Sequence, residues 1–193
     1  MRPRPVSRRS LHENFSMKPT VFRYGLYGVL VVLASGVIQY IIFPKCSFET
    51  QEVIGYLTIF LSMIFVFFGM RQYRNKINNG VLSFGQGLKI GTLIVLIPSV
   101  FFGLFDIFYA KVLNPDWKTE YLAYYAEKIR KTTPPEKLQP ALDKMNAQME
   151  MFSSPVMEFI LMFLTVFIVG FIVTIISSLA LMKKQKTVVP QFS

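Results

Sequence analysis

Four long runs of apolar residues, separated by polar stretches, dominate the chain. They cover residues 21–43, 53–70, 88–110 and 156–182. Each has about the 18 or more residues that an α-helix needs to cross roughly 30 Å of hydrocarbon. None alternates apolar and polar residues as a barrel strand does, and backbone amides in lipid must be satisfied within their own segment. The pattern therefore predicts an all-α polytopic membrane protein with four transmembrane helices.

The third connection, residues 111–154, is long and carries helix signals of its own. Asn114 and Pro115 are typical of an N-cap and a first helical residue. A T-x-x-E capping box from Thr133 to Glu136 predicts the start of a second helix. Apolar and aromatic positions recur at helical spacing in both: Trp117, Tyr121, Tyr124, Tyr125 and Ile129, then Leu138, Leu142, Met145 and Met149. We expect an external helical hairpin between the third and fourth spans, lying on the bundle or on the outer membrane surface.

Basic residues are unevenly distributed among the polar stretches. They concentrate before the first span, between the second and third spans, and after the fourth: Arg2, Arg4, Arg8, Arg9, Lys18 and Arg23, then Arg71, Arg74, Lys76 and Lys89, then Lys183, Lys184 and Lys186. The only acid in these regions is Glu13, whereas the other two connections carry both signs. The positive-inside rule therefore predicts that both termini and the second connection are cytoplasmic.

The chain has three predicted parts. Residues 1–16 are rich in proline, arginine and serine without periodicity, and we expect them to be disordered. Residues 17–186 form the predicted four-helix membrane domain, and residues 187–193 form a cytoplasmic tail. Met17 opens Met-Lys-Pro-Thr just before the first span, so translation starting there is an alternative hypothesis to a start at Met1, which intact-protein mass would decide.

Composition removes several classes of chemistry. The chain has one cysteine and one histidine, so a zinc cluster or a CxxC redox pair is not expected. We find no catalytic constellation, and predict no cofactor, no metal and no enzymatic activity. The net charge is +10, but the excess lies beside apolar runs without a basic and aromatic recognition motif. We therefore expect the lipid bilayer, and not nucleic acid, as the partner of these charges.

Asp106 and Glu158 are the acids nearest the predicted membrane interior. The third helix runs outward and the fourth runs inward, so both carboxylates fall at comparable depth near the outer boundary. If they face one another, they are able to share a proton or bind a cation, and Gln39 from the first helix is able to join them. The alternative, which we favour from sequence, is that they are ordinary boundary charges in interfacial water.

Small residues mark two helix faces. Gly87 and Gly91 make a GxxxG pattern at the start of the third span, and Gly170, Thr174 and Ser178 repeat every four residues in the fourth. Such stripes let helix backbones approach closely, either within one chain or between two copies. Pro98 removes a backbone hydrogen bond in the middle of the third span, which predicts a kink.

These features together resemble a family of bacterial membrane proteins of unknown function, DUF4199. The matching features are the basic run 71–76, the Ser-Phe-Gly-Gln-Gly-Leu-Lys segment 83–89, the Asn114-Pro115 pair, and Ser154-Pro155 before a glycine-containing fourth helix. The resemblance implies a four-helix membrane domain over about residues 17–186 and a location in the bacterial inner membrane. It implies no activity, ligand or site residue.

Two functional hypotheses remain from the sequence. The first is a non-enzymatic structural or accessory membrane protein that binds a membrane-protein partner, or a second copy, through its packing faces or its external helical segment. The alternative is a small ion or solute transporter or channel that uses the outer-leaflet carboxylates. An enzyme comes third, because it would have only carboxylates for chemistry.

Overall fold

The computed structural model describes residues 8–42, 46–150 and 154–183, and these form six α-helices. The helices are α1 (Arg8–Ile42), α2 (Phe48–Gln72), α3 (Phe84–Phe108), α4 (Trp117–Thr132), α5 (Pro135–Glu150) and α6 (Pro155–Leu181). Within the described ranges the strand-like structure is limited to an isolated bridge between Leu82 and Lys183. The prediction of an all-α fold is confirmed.

Four of the six helices are long and apolar enough to span a membrane. Their spanning portions are Met17–Ile41, Phe48–Ile77, Phe84–Leu113 and Pro155–Leu181, of 25 to 30 residues each. At 1.5 Å per residue, each exceeds the roughly 30 Å thickness of a hydrocarbon core. The prediction of four spans in a multi-pass membrane protein is confirmed. All four begin before the predicted first residue, and the second and third also end later than predicted.

Successive spans run in opposite directions, so the bundle has two distinct ends. At one end, called here the hairpin end, α1 and α3 finish, α2 and α6 begin, and the α4–α5 hairpin lies. At the other, called the basic end, Arg71 lies in the last turn of α2 and Lys89 lies in the second turn of α3. A short turn joins α2 to α3 there, with positive φ at Asn79 and Gly80. Asparagine and glycine tolerate this conformation best, which permits the tight reversal.

Local capping explains where the spans begin. The Ser47 hydroxyl accepts a hydrogen bond from the Thr50 amide at the start of α2. Ser83 and Gln86 form a reciprocal capping box at the start of α3. Ser154 is the N-cap of α6, with proline following it. Each cap satisfies or replaces amides that the first helical turn leaves without a partner.

Helices α3 and α6 approach each other through their small residues. A Cβ added to Gly91 would lie 2.5 Å from Thr174 Cγ2, and one added to Gly87 would lie 2.8 Å from Ser178 Oγ. A Cβ on Gly170 would lie 2.5 Å from a methyl group of Val95. The two small-residue stripes therefore face each other inside the bundle and leave no room for larger side chains.

Pro98 is buried within α3, which continues as an α-helix on both sides of it. A Cβ on Gly28 of α1 would lie 3.3 Å from Pro98 Cγ. Next to Pro98, the hydroxyl of Ser99 donates a hydrogen bond to the Val95 carbonyl at 2.8 Å. Pro98 is thus a packing surface for α1 as well as an interruption of the α3 hydrogen-bond ladder.

The structure differs from the sequence interpretation at several boundaries. Helix α1 begins at Arg8 and includes Pro19. Residues 8–16 are therefore helical where disorder was expected, because they extend the first spanning helix. The N-cap of α4 is Asp116, because a π-helical turn carries the chain past the end of α3 as far as Leu113. Thr133 closes α4, its amide donating to the Ile129 carbonyl, and does not open α5 in a capping box. The predicted disorder of residues 1–7 and the predicted tail at 187–193 lie outside the described residues.

Candidate functional site

A cavity of about 370 Å³ lies at the hairpin end, among the four spans and under α4. Asp106 of α3, Glu158 of α6 and Gln39 of α1 all line it. We call this cavity the acidic chamber; Glu52 of α2 and Glu120 of α4 complete its carboxylate lining. The three polar residues singled out from the sequence therefore meet in one place. The expectation that the two acids are separate boundary charges does not describe this arrangement.

Glu158 is the most deeply buried acid of the chamber. It is only 2% exposed, and its Oε2 accepts a hydrogen bond from Lys118 Nζ at 3.0 Å. Lys118 comes from α4, 40 positions earlier in the chain. Asp106 lies within electrostatic reach of both Glu158 and Lys118. Lys118 thus pairs directly with Glu158 alone, and Asp106 is a second carboxylate nearby, so the cluster is negative when both acids are ionised.

Aromatic side chains of α4 close the chamber over the start of α2. The Phe48 ring lies 6.5 Å from Trp117, 5.5 Å from Tyr121 and 5.3 Å from Tyr124, measured between ring centroids. Trp117 also stacks on Tyr121 at 5.1 Å. Edge-to-face and offset contacts of this kind add to the free energy of burying the rings. The aromatic face predicted for this helix is thus the surface by which α4 docks on the bundle.

Tyrosine hydroxyls tie α4 to the two acids at the start of α2. Tyr125 donates to Glu52 Oε1 at 2.9 Å, and Tyr124 donates to Glu49. Lys128 Nζ contributes a further ion pair to Glu49 Oε1 at 2.6 Å. The hydrogen bond to Glu49 raises the pKa of the Tyr124 hydroxyl, and desolvation followed by the Glu52 contact raises the pKa of Tyr125. The neutral phenols are therefore the favoured donors at neutral pH.

A chain of hydrogen bonds descends from the chamber toward the core. Gln39 Nε2 donates to Ser35 Oγ at 3.3 Å, and Ser35 Oγ lies 2.5 Å from Thr58 Oγ1. The Thr58 hydroxyl donates to the Ile54 carbonyl at 2.7 Å, so Ser35 supplies the proton in the middle bond. This order leaves the Gln39 Oε1 atom as an acceptor at the chamber wall.

Below this chain the bundle is closely packed. Met63, Val95 and Val166 are at most 2% exposed and belong to one hydrophobic cluster. The hydroxyls at this depth bond to backbone carbonyls, as Ser62 does to Gly28 at 3.1 Å. The acidic chamber is therefore a recess at one end of the bundle, with a packed core beneath it.

The chamber combines negative charge with aromatic surface. Its walls hold four carboxylates and the rings of Tyr40, Phe48, Phe102, Phe105, Tyr109, Trp117 and Tyr121. Within residues 8–42, 46–150 and 154–183, no group of three or more acidic, histidine or cysteine side chains has the arrangement of a metal site. Carboxylates beside π-faces are the usual surroundings of a bound organic ammonium group.

Sequence reasoning missed the residues that the hairpin brings to the site. Lys118, Trp117 and Tyr121 reach the chamber only because α4 folds back over α2, and helix periodicity alone does not say where an amphipathic helix docks. Glu52 lies between the first two predicted spans, and no local pattern in the sequence singles it out. The available signal was the i, i+4 repeat of Trp117, Tyr121 and Tyr125, which predicts one continuous aromatic face.

Comparisons with known proteins identify the family of this chain. No curated protein and no solved structure matches the chain. A family model described as "Protein of unknown function (DUF4199)" matches residues 23–183, which include most of the first span, the other three spans and the chamber. The match confirms the resemblance seen in the sequence: the chain belongs to the DUF4199 family.

Proposed function

We propose that this protein binds a small organic cation in the acidic chamber, as the recognition step of a small-solute transporter. The observation that carries the proposal is the convergence of Asp106 and Glu158 on one cavity of about 370 Å³, where Lys118 pairs with Glu158 only. An isolated charge inside a membrane protein is costly, and functional sites are where such charges usually occur. A bound ammonium group would offset the remaining negative charge.

The size and lining of the chamber favour an organic ammonium ion over a bare metal ion. Pockets of about 300 to 1,000 Å³ accommodate small molecules. Phe105 and Trp117 offer apolar and π surface, and Gln39 Oε1 offers a hydrogen-bond acceptor. We therefore assign the charged nitrogen to the Asp106 side of the chamber and the apolar part of the solute to the aromatic lining under α4.

We infer that the chamber faces the side of the membrane opposite the cytoplasm. The cations at the basic end include Arg71, Arg74 and Lys76, whereas the described ion pairs lie on α2, α4 and α6 toward the hairpin end. The positive-inside rule then assigns the basic end and both termini to the cytoplasm. In a bacterial inner membrane, which the family resemblance suggests, the solute would be captured from outside the cell.

Equilibrium binding to the purified full chain tests this proposal. The probes are labelled cyclohexylmethylammonium and cyclohexanecarboxylate, which share a ring and carry opposite charges. We expect saturable binding of the ammonium only, and a roughly 10-fold loss of affinity in Asp106→Asn, because a hydrogen bond to a charged partner contributes about 1.5–3 kcal/mol. Asp143→Asn, on α5, is the matched control and should bind as wild type does.

Equal binding of both probes, or an Asp106→Asn variant that binds the ammonium normally, would overturn the proposal. Uptake of the same ammonium into proteoliposomes then separates a transporter from a binding protein. Transport requires the packed core around Met63 and Val95 to rearrange. Binding without uptake would retain the recognition site and remove the transport step.

A second candidate function, partner binding through the hairpin, is favoured by the exposure of α5. This helix has no buried residue and packs on α4. The small-residue stripes do not support association of two copies, because Gly87 and Gly91 are already covered by Ser178 and Thr174 of the same chain. Crosslinking from α5 in membranes tests this candidate: a specific adduct supports an accessory role, and crosslinks to lipid alone oppose it.

A further inference from the structure

A second recess lies at the opposite end of the bundle, between α1 and α2. It is a cleft of about 380 Å³ lined by Arg23, Arg71 and Lys76, with Gln72 and Asn75 beside them. Arginine and lysine are the residues that bind phosphate oxygens most often, arginine through two parallel hydrogen bonds. We call this recess the basic cleft.

No side chain that the structure describes neutralises the charge of the basic cleft. No carboxylate lines it, and no ion pair in the described part of the chain involves Arg23, Arg71 or Lys76. The neighbouring Arg74 behaves differently, because it donates to the Leu181 carbonyl at 3.2 Å and to Asn75 Oδ1 at 2.9 Å. Arg74 is thus hydrogen-bonded within the protein, whereas the other three cations line the surface of the cleft.

Below the cations, the same helix faces become apolar. On α2, Phe68 precedes Arg71 by three residues and is 44% exposed, and Ile64 and Leu61 continue this face toward the bundle centre with 42% and 53% exposure. On α1, Arg23 is followed at helical spacing by Tyr27, whose ring contacts Phe65 of α2 at 5.5 Å. A charged recess therefore leads into an apolar surface that faces the membrane.

We propose that the basic cleft binds the phosphate headgroup of an anionic phospholipid, whose acyl chains lie along the exposed apolar residues of α1 and α2. A soluble phosphate would use the cations alone, whereas a lipid also uses the apolar surface beneath them. The location fits, because headgroups lie where a span changes from apolar to basic residues. This assignment is independent of the function proposed for the acidic chamber.

Native mass spectrometry of the purified full chain, titrated with phosphatidylglycerol or phosphatidylcholine, tests the proposal. We expect phosphatidylglycerol to be retained more strongly. The triple variant Arg23→Gln, Arg71→Gln, Lys76→Gln should lose about 100-fold in affinity, since each cation near the surface contributes about fivefold. The matched control Arg130→Gln, Lys137→Gln, Lys144→Gln removes the same charge from the hairpin and should bind the lipid normally.

Three results would overturn the proposal. They are equal retention of the two lipids, equal losses in both triple variants, and competition by glycerol 3-phosphate as strong as that by the lipid, which would indicate a site for soluble phosphate. The single variant Arg71→Gln guards against misfolding of the triple variant. It should weaken phosphatidylglycerol binding about fivefold, and Arg71→Lys should restore most of it.

Discussion

Helices α3 and α6 pack side by side along the bundle, but the half near the basic end and the half near the hairpin end differ in how closely they pack. Toward the basic end, Gly91 faces Thr174 so closely that a single added Cβ would collide with it. Toward the hairpin end, Asp106 and Glu158 line an open cavity on the same two helices. The half near the basic end is closely packed, whereas the half near the hairpin end combines the cavity with one close contact, of Gly103 with Phe159.

The contrast shows how a small membrane bundle can hold a polar chamber. Helix association in lipid depends on close van der Waals packing, since lipid tails are as apolar as the side chains. The glycine-lined half of α3 and α6 provides this packing. In the chamber half Gly103 packs on Phe159, and Lys118 and the aromatic contacts of α4 stabilise the polar part around the cavity. Stability and binding are thus carried by different parts of one helix pair.

The largest expected effect comes from filling the packed half. Gly91→Leu should lower the free energy of unfolding by about 3 kcal/mol, because the new side chain enters space that Thr174 occupies. Unfolding of the purified protein in mixed micelles measures this. Gly85→Leu is the control, since nothing lies within 4 Å of a Cβ there. Equal losses in the two variants would contradict the account of the α3–α6 contact.

A second test breaks the ion pair that closes the chamber half. Lys118→Gln should cost about 2 kcal/mol of stability, below the roughly 3–5 kcal/mol of a fully buried pair because the Lys118 side chain is 32% exposed. Combining it with Glu158→Gln should recover much of the loss, since the most deeply buried carboxylate of the chamber is then neutral. Lys131→Gln breaks an exposed pair with Glu127 and should change stability by less than about 0.5 kcal/mol.

A smaller, local effect should follow from removing the ring beneath α4. Phe48→Ala deletes the contacts to Trp117 and Tyr121 and should weaken hairpin docking by about 1 kcal/mol. Hydrogen exchange should then quicken in α4 and α5 while α3 and α6 stay protected. Phe60→Ala, a 64% exposed ring on the same helix, is the control. Uniform acceleration across all helices would mean that the hairpin is not a separate unit.

The smallest effect expected at neutral pH concerns the tyrosine anchors. Burial, followed by Glu52, raises the pKa values of Tyr121 and Tyr125 above the ordinary value of 10.0, and the hydrogen bond to Glu49, followed by burial, raises the pKa of Tyr124. A raised folded-state pKa means that the stabilisation is complete below about pH 10 and disappears as the pH rises through the folded-state value. Hydrogen exchange of α4, corrected for its intrinsic pH dependence, should be the same at pH 7 and pH 9. Release of α4 within that interval would contradict these contacts.

The sequence predicts those features that depend on the residues of a single helix. Apolar length predicts each span, and span direction already puts Asp106 and Glu158 at similar depth. Lys118 was not predictable in this way, because its partner is set by how the hairpin folds back over α2. Thr133 has the same difficulty: the residues around it suit an N-cap, but the preceding helix ends at that position. Tertiary docking, which periodicity does not report, decides the position of Lys118, and the end of α4 decides the role of Thr133.

The fluorescence of Trp117 offers the most direct test of the central claim that the acidic chamber binds an organic cation. Trp117 is the only tryptophan in the chain and lines the chamber, so all of the tryptophan signal comes from this site. Titration with cyclohexylmethylammonium should change the emission saturably, while cyclohexanecarboxylate leaves it unchanged. Asp106→Asn should move the ammonium midpoint about 10-fold higher. An emission that does not respond to the ammonium, while labelled ammonium still binds the protein, would contradict the account by locating the binding site elsewhere.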